Sequence, residues 1–388
     1  MDNRQAEISP GTVLLFGSGE TSPSGRKAFD QALRRLAQPP RLALLETPAG
    51  FELNSSRVIG RVGEFFERQL QNYHPQIEIV PARKRGTAFS PDDPELARPL
   101  LQADLIFMGP GSPTYAVRQL RDSQAWHYLL ARHRLGATVA LASAAAIAIS
   151  AYALPVYEIY KVGEDLHWQP GLDFFGQYGL PLVFVPHWNN NDGGAELDTS
   201  RCFMGQERFA ELMALLPADL TVIGLDEKTA LFMDLQAGTC RVVGAGGVTL
   251  IHTGDWHQGA AHALEGSGLA EVAEQRGGHI HIYMNGDSFM LSECCPFDLQ
   301  LAAHGLPPLA WKQALAAQRQ LEAERQATEP AGPEDLDAAP AAVQALAAER
   351  QAARARKDWA AADALRKQIA ELGWNVVDTP EGMKVVRG

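Results

Sequence analysis

Short apolar runs alternate with amphipathic stretches of helical length through the first half of the chain. The runs lie at residues 12–16 (TVLLF), 41–45 (RLALL), 77–80 (IEIV), 104–108 (DLIFM) and 138–142 (TVALA). Between them, residues 56–73 carry Val58, Val62, Phe65, Phe66 and Leu70 at helical spacing. Runs without polar alternation suit strands buried on both faces, and their alternation with helices predicts a mostly parallel sheet covered on both sides. The pattern continues at residues 182–186 (LVFVP) and in a helix near 206–216. From Thr221 the texture becomes strand-like with short turns, which predicts antiparallel hairpins extending a sheet edge.

A second change comes after a helical stretch at 308–326. Residues 327–340 (ATEPAGPEDLDAAP) hold three prolines and four acids, the composition of a linker. Beyond it, residues 341–372 read as helix broken near Lys357 and Asp358, with Gly373 as its cap and a hairpin over 374–386. The expected organisation is an α/β domain over 10–310, a helix and linker over 311–340, and a small α+β module over 341–388.

Composition narrows the classes of function. The 388 residues carry 34 Lys and Arg against 46 Asp and Glu, a net charge of −12 that argues against a general polyanion-binding surface. The tail from Ala341 has eight basic and six acidic residues and so differs locally. Cys202, Cys240, Cys294 and Cys295 are too few and too irregularly spaced for a disulfide framework or a zinc motif, as in a reducing cytoplasm. No secretory signal is visible at the N-terminus. The longest apolar stretch, 137–157, is alanine-rich with several hydroxyls and fits a buried strand entering a packed helix better than a membrane span. A cytoplasmic location, no membrane contact and no cofactor are expected. His279 and His281, with His252, Asp255, His257 and Asp287 nearby, would make a metal site only as a minor alternative to a packed or solvated pair.

The chemistry concentrates around Ser143. It ends the run 138–142 and precedes small residues, so a strand-to-helix turn would project its Oγ away from the sheet. The following amide, that of Ala144, would face the same space. The Gly109–Pro110–Gly111 turn after the preceding strand offers a second N–H, that of Gly111, to an oxyanion. Gly17–Ser18–Gly19–Glu20 follows the first strand and could bring Glu20 to the same cleft.

These segments together resemble the cyanophycinase/dipeptidase E serine peptidases, of class I glutamine amidotransferase-like fold, over residues 12–251. The resemblance rests on FGSGE (16–20), FMGPGS (107–112), the Ser143 turn, VPHW (185–188), Arg208–Phe209, VIGLDEKTAL (222–231) and VVGAGGVTLI (242–251), in that order. It implies a nucleophile at Ser143, a base at His187 and an acid at Glu227, or at Glu158 if the dipeptidase arrangement applies. Gly111 and Ala144 would form the oxyanion hole, and Glu20, Arg201 and Arg208 would contact a small peptide or amide substrate. The sequence departs from the family at the elbow, where Leu141 and Ala145 stand in place of glycines, and in its longer segment 187–208. A catalytically silent protein that binds a small metabolite in the same cleft is the alternative.

The tail has its own resemblance. Residues 353–387 look like the C-terminal domain of cysteinyl-tRNA synthetases, which implies contact with a tRNA; a protein partner is the other expectation. Arg354, Arg356, Lys357, Arg366 and Lys367 would meet phosphates, with Trp359 or Trp374 stacking or packing. The competing expectation puts both tryptophans in a miniature core. The synthetase signatures HIGH and KMSKS are absent, so the chain should not charge tRNA.

Overall fold

The computed structural model describes residues 9–257, 280–299, 305–328, 340–379 and 382–387. The chain divides into two compact units, Met1–Arg319 and Gln320–Gly388.

The strands, numbered along the chain, are β1 (Val13–Phe16), β2 (Arg41–Leu45), β3 (Gln76–Val80), β4 (Leu105–Met108), β5 (Thr138–Ala142), β6 (Tyr152–Ala153), β7 (Gln169–Pro170), β8 (Leu182–Val185), β9 (Thr221–Leu225), β10 (Thr229–Asp234), β11 (Thr239–Gly244), β12 (Gly247–His252), β13 (Ile280–Met284) and β14 (Ser288–Met290) in the first unit. The large sheet runs β14-β11-β10-β1-β5-β4-β2-β3. Its five strands from β1 to β3 are mutually parallel, and β10, β11 and β14 complete it antiparallel. Strands β1, β4 and β5 are buried along their whole length. This is why their sequences lack polar alternation.

Helices cover both faces. Pro23–Leu33 and Ser55–Gln69 pack Phe29, Phe65 and Phe66 against Phe16 and Phe107 on one side. Pro113–Leu120, Gln124–Arg134 and Ala144–Ala148 lie in the larger core on the other, with Val139, Leu141 and Ile106. The apolar stretch 137–157 is divided between β5, that five-residue helix and β6. Among the described residues no helix is long and apolar enough to cross a membrane.

The later strands differ from a simple edge extension. They are largely antiparallel, as expected, but they split between two sheets. Strands β8, β9, β12 and β13 form a separate four-stranded sheet in the order β13-β12-β9-β8, with β8 parallel to β9. The chain leaves β9 at Asp226, turns through Lys228 at φ 57°, and enters β10 beside β1. The Gly244–Gly246 turn returns it from β11 to β12. Local periodicity reports a strand but not its sheet, because pairing is set by distant segments.

The second unit includes the end of the helix Pro308–Thr328, the helices Ala341–Ala355 and Trp359–Glu371, and an antiparallel pair, β15 (Trp374–Thr379) with β16 (Gly382–Arg387). Gly373, at φ 79°, ends the last helix in the left-handed conformation that glycine tolerates best. Val343, Ala347, Ile369, Trp374, Val376 and Val385 form its core. Trp374 therefore packs as expected, whereas Trp359 is 59% exposed and is no part of that core.

Candidate active site

Strand β5 delivers Ser143 to the carboxyl edge of the large sheet. Its backbone has φ 53° and ψ −116°, while the helix Ala144–Ala148 starts at the next residue. A side chain in such a conformation costs on the order of 1–3 kcal/mol, which the surroundings must offset. The Ser143 N–H donates to Phe16 O at 3.3 Å, tying the turn to β1. Leu141 and Ala145, which stand where glycines were expected, are both fully buried in the larger core. The sharp turn is thus accommodated by packed alanines on the helix side and by a core leucine on the strand side.

His187 follows β8 and also has positive φ, 52°. Its N–H donates to Gly17 O at 3.1 Å, so the first-strand glycine loop fixes its backbone. No β-carbon fits at Gly17, where it would lie 2.1 Å from Asp226 O. The imidazole Nε2 lies 3.0 Å from Ser143 Oγ, and Nδ1 lies 2.9 Å from Glu227 Oε1. Glu227 sits in the turn between β9 and β10, which carries it across from one sheet to the other. The imidazole and carboxylate remain partly open, with side chains 19% and 30% exposed.

Asparagines outside the expected set hold Glu227 by its carboxylate and by its backbone. Asn190 Nδ2 donates to Glu227 Oε1 at 3.0 Å, and Asn189 Oδ1 accepts from the Glu227 N–H at 2.8 Å. The sequence signal was the run of asparagines after His187. The adjacent Asp226 accepts from the Gly247 N–H at 2.8 Å and anchors the turn, with its carboxyl raised by burial. The two acids of the Asp226–Glu227 pair therefore do different work.

The other expected residues are placed as follows. Gly111 packs on the Pro48 carbonyl so closely that a Cβ would stand 2.0 Å from that oxygen, and it lines a cavity of about 500 Å³ with Ser143, Ala144 and His187. Among the described residues, neither the Gly111 nor the Ala144 N–H donates to the backbone or to a side chain. Burial raises the Glu20 carboxyl, while a backbone hydrogen bond and the nearby His187 act against that shift. Glu158 is not brought to His187. Its Oε2 is buried without a hydrogen bond among the described residues.

Arg201 and Arg208 point elsewhere than the cavity. The Arg201 guanidinium lies 4.1 Å from the Trp188 ring and donates to Trp188 O at 2.8 Å. Burial pulls its pKa down to about 10, against the opposing charges of Asp198 and Asp226. Arg208 donates to the carbonyls of Met204 and Phe203 at 2.7 and 2.9 Å. Both stabilise the turn Arg201–Cys202–Phe203, whose φ values of 56°, 59° and 68° are all left-handed. That turn places Cys202 and Phe203 on the cavity wall, where Tyr157, Tyr160, Lys161 and Asp192 also lie. None of these was singled out from sequence as a site residue.

The histidines outside the cleft have other partners. His252 Nδ1 meets Thr221 Oγ1 at 3.1 Å, and His257 Nε2 donates to Leu216 O at 2.9 Å. His279 lies outside the described residues, and among the described residues no group of three His, Cys, Asp or Glu could hold a metal ion.

Residues 336–385 match the cysteinyl-tRNA ligase anticodon binding domain. Over 46 residues the chain is 52% identical to cysteine–tRNA ligase 1 of Burkholderia lata, covering 12% of this chain and 10% of the ligase. Over 43 residues it is 56% identical to the cysteine–tRNA ligase of Opitutus terrae, covering 11% and 9%. The chain spans about a tenth of the length of these ligases. A solved peptidase from an acI-B1 Actinobacterium is similar at a TM-score of 0.53 and 20% identity, over 73% of this chain and 98% of the peptidase. The chain shares its fold with a peptidase. Its tail resembles the anticodon-binding domain of a cysteinyl-tRNA ligase.

Proposed function

We propose that this protein is a serine hydrolase that cleaves an amide bond in a small peptide or amide. The observation that carries the reading is the continuous chain from Ser143 Oγ through His187 to Glu227, with contacts of 3.0 and 2.9 Å. An Nδ1–H donated to the Glu227 carboxylate leaves Nε2 unprotonated and able to accept the serine proton. Ser143 Oγ then attacks the carbonyl carbon as His187 takes its proton. The Gly111 and Ala144 amides stabilise the oxyanion. The intermediate collapses to an acyl-serine, and the leaving amine departs with the proton from His187. Water attacks the ester by the same route, releasing the acid and restoring Ser143.

Cys202 lines the same cavity, but burial first and the Glu227 charge second push its thiol up to about 12. A thiol that stays protonated is a poor nucleophile, which leaves the role to Ser143. A fluorophosphonate probe tests the proposal: the wild-type protein is labelled at Ser143 and Ser143→Ala is not. Absence of labelling would favour the silent metabolite-binding protein instead.

For the tail, the match over residues 336–385 favours contact with a tRNA. Arg354, Arg356, Lys357, Arg366 and Lys367 are the phosphate partners in this reading, and the exposed Trp359 ring is the stacking group.

A further inference from the structure

We infer that the cavity beside Ser143 takes, as leaving group, an aromatic or large apolar amino acid with a free carboxylate. Tyr160 and Phe203 would flank its side chain, and Lys161 would hold its carboxylate. This rests on the hydrolase reading, because it is His187 that must hand its proton to the departing amine. The leaving group therefore lies on the imidazole side of the scissile bond.

On that side the wall is aromatic. The Phe203 ring centre is 6.0 Å from that of His187, and the Tyr160 ring centre is 5.4 Å from that of Phe203. The rings make a continuous apolar surface leading away from the imidazole. Tyr157 and Tyr160 remain 40% and 38% exposed on the cavity wall, surface that an apolar ligand would cover. Phe203 is held there by a turn of three consecutive left-handed residues, braced by Arg201 and Arg208. Strain maintained by such bracing at a cavity wall points to a positioned side chain rather than a tolerated one.

The charges refine the class. Lys161 lines the cavity, with its ammonium 5.8 Å from the Tyr157 ring centre. Among the described residues it makes no ion pair, so its charge is open to a carboxylate from outside. Asp192 lines the same cavity and opposes a second anionic group. The combination selects one carboxylate and disfavours an acidic side chain, and the aromatic wall favours an apolar one over a basic one.

The full-length protein is labelled with the fluorophosphonate probe in the presence of the dipeptides Ala-Phe, Ala-Phe amide and Ala-Asp. Ala-Phe should protect Ser143 at a concentration about tenfold lower than either of the others, as expected for one charge-assisted contact. Lys161→Met should erase the difference between Ala-Phe and its amide, and Lys161→Arg should keep it. Equal protection by all three dipeptides, or a preference unaffected by Lys161→Met, overturns the inference and leaves the hydrolase reading standing. No labelling of Ser143 removes both.

Discussion

Trp188 lies across Gly224, with the indole so close that a β-carbon on the glycine would stand 2.3 Å from the ring. The same indole packs edge-on against Phe209, at 5.1 Å between centres, and under Arg201 at 4.1 Å. Because Trp188 follows His187 directly, this packing sets the course of the backbone that carries the imidazole. Gly224→Ala should destabilise the protein by about 1–3 kcal/mol, the usual cost of overpacking. It should also slow probe labelling by shifting His187. Urea unfolding and a labelling time course on one preparation check both effects. A variant of unchanged stability would show that the indole can move at little cost.

Glu227 accepts from His187 and Asn190 through the same oxygen. Glu227→Gln keeps the shape but removes the charge that stabilises an imidazolium. Hydrolysis by that variant should fall about 10²–10⁴-fold. Asn190→Ala leaves the carboxylate charged and merely less fixed, so its loss should be smaller, on the order of tenfold. Turnover of a substrate found by screening small amides gives the order of the two variants. A larger loss in Asn190→Ala than in Glu227→Gln would contradict it.

The hydrolase reading assigns a role to the strained Ser143 backbone, at φ 53° and ψ −116°. Glycine adopts φ 53° and ψ −116° without a Cβ penalty, whereas alanine does not. Ser143→Gly should therefore be more stable than Ser143→Ala, by about 1 kcal/mol once the greater unfolded-state entropy of glycine is counted. Both should be inactive. Chemical denaturation of the pair at one pH reads the difference directly.

His133 is fully buried, with Nδ1 at 2.8 Å from Tyr178 Oη and Nε2 at 2.8 Å from Gly11 O. Burial depresses its pKa to about 3, with the Arg134 charge acting in the same direction and the Gly11 hydrogen bond against it. The unfolded chain binds this proton near pH 6.5 and the folded chain does not. The associated stability is thus fully present above pH 6.5 and is lost as pH falls toward 3. Denaturation midpoints between pH 7 and 4 should drop steeply in the wild type and less so in His133→Gln. Parallel curves would assign the acid limb to other groups.

The tail should bind tRNA with a steep dependence on salt, since each phosphate contact releases about one counterion. Replacing Arg366 and Lys367 together by alanine should reduce the slope of log affinity against log salt by about two. Filter binding of the full-length chain between low and moderate salt measures it. A flat response in the wild type would remove the nucleic-acid reading.

The sequence by itself determined the strands of the parallel sheet, the helices between them and the tail's two helices and hairpin. It did so because burial on both faces and helical periodicity are local patterns that neighbouring residues express together. It also singled out Ser143, His187 and Glu227 through the short strings around them. Tertiary structure decided what those strings do in space. The string around Glu227 already favoured it over Glu158, and the turn that crosses between the sheets brings Glu227, not Glu158, within hydrogen-bond reach of the imidazole. Arg201 and Arg208 read as charges available to a ligand, yet packing against Trp188 and the carbonyls of a left-handed turn engages them within the protein. The division of β8 to β14 between two sheets, and the exposure of Trp359 beside the burial of Trp374, were likewise settled by contacts between segments far apart in the chain. Those contacts leave no periodic trace in the segments they join.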